Sequence, residues 1–380
     1  MTYHTVEWTD LPVTVKIAKF CIADGVSEHH ATIELNNILA NTETQYRLLE
    51  EASKRLAESF NMEGCYLVWK RFFVSDAINH TCYLKTTEGE ALSIVQQPPL
   101  NGYKASMLLY FVENVQLTTK VDNTVVMKRP YYEHLFHTQL HERTGYAITQ
   151  THHIFNRYSN SLSQRGCSLA KNCIRTWIFV QNVDIQYAGM VVARRELFER
   201  EGLTPQTHYI ASTGIEGRYI YPETLILIDA YAIANIQPEQ IRYLHAPTHL
   251  NPTHEYGVTF ERGTAVDYGD RRHIFISGTA SINNRGEIVH PFDVEKQIAH
   301  TFENVQVLLA EAGATMQHVA HMVIYLRDIA DYAVTNRYVA QHYPDIPSVM
   351  LWAPVCRQGW LVEIECMAII PVENHQYVKF

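Results

Sequence analysis

An internal repeat is the feature that most restricts how this chain folds. Residues 298–329 carry apolar side chains three and four positions apart, which predicts an amphipathic helix that ends at Gly313 and a buried strand, HMVIYL, after it. Residues 151–183 repeat this order, with Gly166 at the corresponding helix end and RTWIFV as the corresponding strand. Because two matched elements occur in the same order, we expect two related modules.

Each copy continues in the same way, with a second predicted helix and then an apolar closing strand. The closing strands are LILIDAYAI at 225–233 and LVEIECMAI at 361–369. Four matching elements in one order indicate a tandem duplication. The predicted fold class is therefore α+β, with two tandem modules that each have a mixed sheet and two helices packed on one face.

The rest of the chain sets the predicted domain limits. Residues 45–60 have the spacing of one more amphipathic helix, and strands predicted at 67–87 and 104–119 supply the opening sheet of the first module. The predicted division is, in chain order, an N-terminal extension with one helix (1–60), a degenerate first module (61–235), a proline-containing linker (236–254) and the second module (255–376).

Composition excludes several classes of partner. The formal charge of −9 argues against a surface that coats nucleic acid, which would be basic. The sequence has no apolar run long enough to span a bilayer and no visible signal peptide, so we expect no membrane partner. The seven cysteines are scattered, as free thiols in a reducing compartment are. We therefore expect a cytoplasmic protein whose partner is a small molecule.

The twenty histidines invite a metal hypothesis, which the spacing does not support. His137 and His141 are four residues apart and would share one face of a helix, but the sequence has no HExxH or CxxC motif and no third ligand at a useful spacing. Glycine-rich phosphate loops are also missing from the sequence. The prediction is no metal and no cofactor.

The closing strand of the second module contains two carboxylates that need an explanation. Period-two alternation places Glu363 and Glu365 on one face and apolar residues on the other, with Cys356 and Arg357 just upstream. One interpretation is a half-solvated strand whose glutamate pairs with a nearby arginine. The other is a carboxyl group held at the wall of a cleft, where burial would raise its pKa and make it a proton donor.

The second module resembles the Rid/YjgF family of small imine and enamine deaminases in IFISGTASI, AEAGAT, MVIYLRDIADYAVTNRYV and VEIECMAI. The resemblance implies a sheet with two helices behind it, assembled as trimers with ligand sites in the clefts between modules. It also implies an arginine in a PxR pattern that binds the substrate carboxylate. This chain has Val349 at that position, which argues against ordinary Rid deamination because the bidentate guanidinium is missing.

The two-module layout resembles the chorismatases, which hydrolyse chorismate to pyruvate and a cyclohexadiene or hydroxybenzoate acid. The best matching stretches are YIASTGIEG at 209–217 and CRQGWLVEIE at 356–365. This resemblance implies that Glu363 is the acid and that Cys356 influences which hydroxybenzoate forms. One departure is Glu216, which stands where a second glycine is expected after TGI.

A dianionic substrate needs cations and hydrogen-bond donors around it, and the sequence offers candidates in both modules. Two are arginines at the ends of apolar strands, four are hydroxyl or glycine positions and one is an aromatic ring. They are Arg175, Thr213, Gly214, Tyr221, Gly278, Thr279 and Arg327. Each arginine is equally compatible with a scaffold role in which it extends to solvent, and glycine within a strand also marks bulges.

Three functions are consistent with these residues. The first is a chorismatase-like hydrolase that acts on chorismate or a related small cyclic carboxylate, with Glu363 as general acid in a cleft between modules. The second is a Rid-type enamine or imine deaminase, and the third is a non-catalytic protein that binds a small carboxylate. The chain is expected to be a monomer or a homo-oligomer, with a trimer among the alternatives.

Overall fold

The computed structural model describes residues 1–23, 25–36, 38–62, 64–84, 89–119 and 124–380. Its strands form three sheets of six strands each, in successive parts of the chain. The first sheet contains β1 (Thr2–Trp8), β2 (Leu11–Phe20), β3 (Glu28–Leu35), β4 (Cys65–Val74), β5 (Ala91–Gln96) and β6 (Ala105–Glu113). The second contains β7 (Gln116–Thr119), β8 (Thr124–Lys128), β9 (Glu133–His141), β10 (Cys173–Val180), β11 (Ala211–Glu216) and β12 (Ile226–Ala234). The third contains β13 (Ile241–Leu244), β14 (Gly263–Asp267), β15 (Arg271–Ala280), β16 (Val319–Leu326), β17 (Ser348–Trp352) and β18 (Val362–Pro371).

All three sheets share one topology. In each sheet the first three strands form an antiparallel meander. The last strand lies between the third and the fourth and pairs with both, and the fifth strand pairs in parallel with the fourth. The helices are α1 (Thr42–Met62), α2 (Ala77–His80), α3 (Ala147–Ser163), α4 (Leu169–Asn172), α5 (Val183–Arg200), α6 (Val294–Glu311) and α7 (Tyr332–His342). In every sheet one helix (α1, α3 or α6) joins the third and fourth strands, and another (α2, α5 or α7) joins the fourth and fifth. The α+β fold with tandem modules is thus confirmed, and we call the three units the first, second and third modules.

The helices form where the sequence pattern predicts them. In α6 the buried side chains Ile298, Phe302 and Leu309 follow the spacing of three and four that covers the sheet. The Asp293 carboxylate caps its first turn by accepting a hydrogen bond from the Lys296 backbone N–H at 3.1 Å. Gly313 follows the helix with a φ of +79°, a conformation that glycine adopts without strain.

The number of modules differs from the predicted two. Strands β1–β3 precede α1 and pair through β3 with β6, so the predicted boundary at residue 60 passes through the first sheet. The predicted linker 236–254 contains β13, which pairs with β14 at the edge of the third sheet. The first module escapes a helix-based repeat search because its second helix, α2, is only four residues long.

The predicted strands at 67–87 and 104–119 are each shorter than expected. The first ends at Val74, because the Asp76 side chain caps α2 by accepting a hydrogen bond from the Asn79 backbone N–H; residues 85–87 lie outside the described residues. The second is divided at Asn114, whose positive φ of 52° turns the chain between β6 and β7. Strand β6 belongs to the first sheet with β4, whereas β7 belongs to the second, so the predicted opening strands of one module are divided between two modules.

The three modules close into a ring within one chain. Strand β5 contacts β9, β11 contacts β15, and β16 contacts β2 and β3. Buried ion pairs join neighbouring modules: Arg71 donates to Asp229 at 2.8 Å, and Arg175 donates to Glu365 at 2.7 Å. No helix among the described residues is long and apolar enough to cross a membrane.

The histidine pair considered for a metal site lies on a strand. His137 and His141 are both in β9, which pairs with β12 along its length, so the two rings do not share a helix face. The described part of the chain contains no group of three or more His, Cys, Asp or Glu side chains placed to hold a metal ion.

Candidate functional site

A cleft separates the second and third modules. The second module contributes one face of α5 and the start of β11. The third contributes β15, β18, the segment that precedes β18 and the segment 256–262 that precedes β14. The lining side chains combine arginines, aromatic rings, hydroxyls, a thiol and a carboxyl group: Tyr187, Arg194, Ser212, Thr213, Gly214, Tyr256, Val258, Phe260, Arg262, Gly278, Ala280, Ile282, Cys356, Arg357, Trp360 and Glu363.

The carboxyl group of Glu363 is held in its neutral form. Glu363 lies on β18, only 3% exposed, and no side chain in the described ranges donates a hydrogen bond to it. Burial raises its pKa to about 8, and the negative charge of Glu365 acts in the same direction, against Arg175 and Arg262. Because this pKa exceeds 7, the group is mostly protonated at neutral pH and is able to donate a proton.

Two glycines allow the cleft to form. A Cβ atom at residue 278 would overlap the Glu363 Oε1 atom, so any larger residue would displace this carboxyl group. A Cβ at residue 214 would lie 3.1 Å from the Tyr187 ring. The Gly278 backbone N–H also donates to Thr213 Oγ1 at 2.9 Å, which ties the two walls of the cleft together.

Three arginines give the cleft a positive character. Arg194 is 1% exposed and donates through Nε to Thr259 Oγ1 at 3.1 Å. The other two arginines donate to backbone carbonyls, Arg262 to that of Asn251 at 2.8 Å and Arg357 to that of Tyr256 at 2.9 Å. Within the described ranges, none of the three lies within 4 Å of a carboxylate oxygen.

Three polar atoms of the cleft are buried without a hydrogen-bond partner in the described part of the chain. They are Arg194 Nη2, Trp360 Nε1 and the hydroxyl oxygen of Tyr256. Buried donors in native proteins are almost always satisfied. A cationic cleft with unsatisfied donors is the arrangement that an anionic ligand would complete.

The thiol of Cys356 lies in the same cleft in its protonated form. Burial raises its pKa to about 12, and Glu363, which is itself ionised at such a high pH, adds to this effect. The Tyr187 hydroxyl interacts with the thiol from the opposite wall. A protonated thiol is a weak nucleophile, so its proximity to Glu363 favours a role in shaping the ligand site.

Comparison with known proteins places the third module in a family. The endoribonuclease L-PSP family model matches residues 263–370. A RutC family protein of Pyrococcus abyssi is 31% identical over 98 residues, which cover 25% of this chain and 76% of that protein. The chain belongs to the RutC (Rid/YjgF) family. The 3-aminoacrylate deaminase RutC of Acinetobacter baylyi is also 31% identical, over 72 residues that cover 19% of this chain and 57% of that protein.

A solved structure extends the likeness beyond the RutC-family module. The crystal structure of a chorismatase superposes with a TM-score of 0.64 at 19% sequence identity, over 80% of this chain and 92% of that one. At this identity the likeness shows a shared fold. Both expected resemblances, to the RutC family and to the chorismatase architecture, are confirmed.

The structure brings together five of the residues proposed from the sequence. Glu363, Cys356, Thr213, Gly214 and Gly278 all line the cleft. This grouping follows from the contact between β11 of the second module and β15 of the third.

Arg175, one of the proposed binding residues, lies behind the wall of the cleft. Its guanidinium donates to Glu365 at 2.7 Å and to Thr213 Oγ1 at 2.5 Å, and it is 2% exposed. The Trp177 indole donates to the other oxygen of Glu365 at 2.9 Å. Arg175 therefore fixes the position of the carboxylate that raises the pKa of Glu363, and it faces the centre of the ring of modules.

The other three proposed residues lie outside the lining of the cleft. Thr279 is buried, with its hydroxyl donating to the Ser277 carbonyl. Arg327 donates to both carboxylate oxygens of Asp184, at 2.8 and 2.6 Å, and to the Val355 carbonyl, so it fastens the segment before Cys356. Tyr221 packs under the Arg143 guanidinium, 4.4 Å from the ring centre.

Sequence reasoning did not identify Arg194, Arg262, Tyr187 or Trp360 as site residues. The seven-residue spacing of Tyr187 and Arg194 on α5 does place them on one helix face, and this is the signal that could have found them. The position of Arg262 depends on the packing of two modules, for which the sequence holds no local pattern.

Val349, the departure from the RutC-family arginine, belongs to a different interface. In the parallel strand pairs, Val349 of β17 occupies the position that Thr213 has in β11 and Ser93 has in β5. It therefore lies where the third module meets the first, and Thr213 is its counterpart in the cleft that contains Glu363. The cations of that cleft come from other positions.

Only one of the three modules has a carboxyl group at the position of Glu363. The strand register places Ser106 in the first module and Leu227 in the second at the equivalent point of the last strand. A carboxyl group at this position is consequently specific to the cleft between the second and third modules.

Proposed function

We propose that this cleft hydrolyses chorismate, or a related small cyclic dicarboxylate with an enol-ether side chain, and releases pyruvate. The observation that carries the proposal is a neutral carboxyl group, Glu363, in one cleft with three arginines that have no carboxylate partner among the described residues. A dianionic substrate would satisfy the arginines, and an enol ether needs a proton before water is able to attack it. The shared architecture with a chorismatase supports the proposal at the level of the fold.

The proposed reaction begins with proton transfer. Glu363 protonates the methylene carbon of the enolpyruvyl group, and the electron pair of the double bond forms the new C–H bond, leaving an oxygen-stabilised cation. Water adds to the cationic carbon and returns a proton to the Glu363 carboxylate. The resulting hemiketal collapses to pyruvate and the ring alcohol, so one water is consumed and the acid is regenerated.

The arginines have separate tasks in this proposal. Arg194 and Arg357 come from opposite modules and would hold the two carboxylates of the substrate across the cleft. Arg262 acts on the acid itself, since its charge lowers the pKa of Glu363. We assign Cys356 to the choice of ring product, because its protonated thiol lies beside the acid.

The test is pyruvate release from chorismate, followed with a lactate dehydrogenase coupling assay. We expect release by the wild-type protein, a loss of at least a hundredfold in Glu363→Gln, and no change in Glu239→Gln, an exposed glutamate of the third module. Arg357→Gln should raise KM more than it lowers kcat.

The absence of pyruvate with well-folded wild-type protein would overturn the hydrolase proposal. Calorimetric titration with chorismate then separates the alternatives. Tight binding without turnover would indicate a protein that only binds small carboxylates, and ammonia release from an enamine substrate would indicate a deaminase.

A further inference from the structure

A second cavity lies where the three sheets meet, apart from the cleft. Equivalent positions of the three modules surround it, which places it on the axis of the ring. The third strands contribute His30, Phe136 and Phe275, the fourth strands contribute Trp69, Arg175 and His321, and the last strands contribute Tyr110, Tyr231 and Met367. We call this cavity the axial chamber.

The polar groups of the axial chamber are unevenly distributed among the modules. His30 replaces the phenylalanine that the other two modules have at the same position. Its Nδ1 atom lies 3.0 Å from Nδ1 of His321, so the pair bridges the first and third modules. His30 Nε2 is buried, on a side chain 2% exposed, and has no hydrogen-bond partner in the described ranges.

The hydrogen bond between the two imidazoles fixes what they present to the chamber. Burial lowers the pKa of His30 to about 3 and also lowers that of His321, so both rings are neutral at pH 7. One Nδ1 must carry the shared proton and the other must accept it. Because a neutral imidazole has a single N–H, one Nε2 is then an acceptor and the other a donor.

The remaining wall is aromatic, and its charges are neutralised. The rings of Trp69 and Trp177 stack with their centres 6.0 Å apart, and Tyr110 stacks on His30 at 4.5 Å. The charged side chains at the wall are paired, Arg175 with Glu365 and Asp229 with Arg71. An ion entering the chamber would lose its hydration without gaining a free counter-charge, whereas a neutral ring would gain contacts.

We propose that the axial chamber is a binding site for a small, uncharged aromatic molecule that carries one hydrogen-bonding group, which pairs with His30 Nε2. The unsatisfied imidazole nitrogen and the surrounding rings together define this class of ligand. The site is distinct from the cleft of Glu363 in both position and charge.

The first experiment uses the intact wild-type protein and 4-bromophenol, which is uncharged at neutral pH. Crystals soaked with this probe should show anomalous bromine density inside the axial chamber, with the hydroxyl group near His30. Density confined to the Glu363 cleft or the surface, or a chamber that holds water alone, would overturn the proposal. No variant is needed for this result.

Solution titration with phenol tests the hydrogen bond. His30→Phe introduces the residue that the other two modules have at this position and keeps a ring stacked on Tyr110. We expect it to weaken phenol binding about fivefold or more and to leave benzene binding unchanged, because benzene forms no hydrogen bond. Glu363→Gln, in the other cavity, should bind phenol as the wild type does. Equal phenol affinity in His30→Phe would contradict the assigned contact.

Occupancy of the chamber is tested with Met367→Trp, which adds side-chain volume at its wall, at the position equivalent to Tyr110 and Tyr231. We expect a folded protein, checked by circular dichroism, that no longer binds phenol or benzene. Unchanged binding in this variant would overturn the location of the site. If the variant does not fold, the bromophenol soak of the wild type decides the question.

Discussion

Replacing Glu363 by Gln should remove a large part of the pH dependence of stability. The folded-state pKa of this carboxyl group is about 8, against an ordinary value of 4.5, a difference of about 3.5. Each pKa unit corresponds to about 1.4 kcal/mol, so ionisation costs the folded protein about 5 kcal/mol at this site. Gln has nearly the same shape as the neutral acid and does not ionise.

The direction in which stability changes with pH follows from the raised pKa of Glu363. Below pH 4.5 the group is protonated in both the folded and the unfolded chain, and wild type and Glu363→Gln should have similar unfolding free energies. Between pH 4.5 and about 8 the unfolded chain releases its proton first, so the wild type loses stability as the pH rises. Above pH 8 the difference between the two proteins should level off near its full value.

The assay is equilibrium unfolding in urea at pH 5, 7 and 9, followed by tryptophan fluorescence. Glu239→Gln serves as the control, since this exposed side chain should give a curve parallel to the wild type. If Glu363→Gln has the same pH dependence as the wild type, the carboxyl group is not held neutral by burial, and its role as proton donor loses its basis.

Three further results are expected. Gly278→Ala should reduce pyruvate release more than tenfold while costing about 1–3 kcal/mol of stability, because the new methyl group displaces the Glu363 carboxyl; retained activity would contradict this packing. Arg71→Met should lower the unfolding free energy by about 3–5 kcal/mol in urea, since it leaves Asp229 buried without its counter-charge, and adding Asp229→Leu should recover much of the loss. At pH 8, iodoacetamide should alkylate Cys356 far more slowly than the two exposed cysteines, because about one thiol in ten thousand is ionised when its pKa is about 12. Equal alkylation rates, measured by mass spectrometry, would show that burial does not protect Cys356.

Local patterns were sufficient for the long helices and for the fourth and last strands of the second and third modules. The apolar spacing in α6, the glycine after it and the alternation in β18 are properties of neighbouring residues, so the sequence predicts them directly. The same alternation drew attention to Glu363 and Glu365 together, since carboxyl groups in an otherwise apolar strand are unusual. The resemblance to the chorismatases then selected Glu363 as the acid. Its raised pKa then depends on how deeply the strand is buried.

The first module and half of the cleft could not be predicted in this way. With α2 reduced to four residues, the helix–strand–helix order that reveals the other modules is missing from the first one. Arg194 and Arg262 become neighbours only when two modules pack together. Arg175 illustrates the reverse case: its place at the end of an apolar strand suggested a ligand contact, but tertiary packing directs it to Glu365.

Joining three modules in one polypeptide has a consequence for how such a site can change. In a ring of three identical chains, any substitution enters all three clefts at once, and each cleft must tolerate it. Here Ser106, Leu227 and Glu363 occupy corresponding places but are encoded separately. A buried acid that weakens the structure at high pH is therefore introduced once per ring, and the other two interfaces remain free to serve as scaffold.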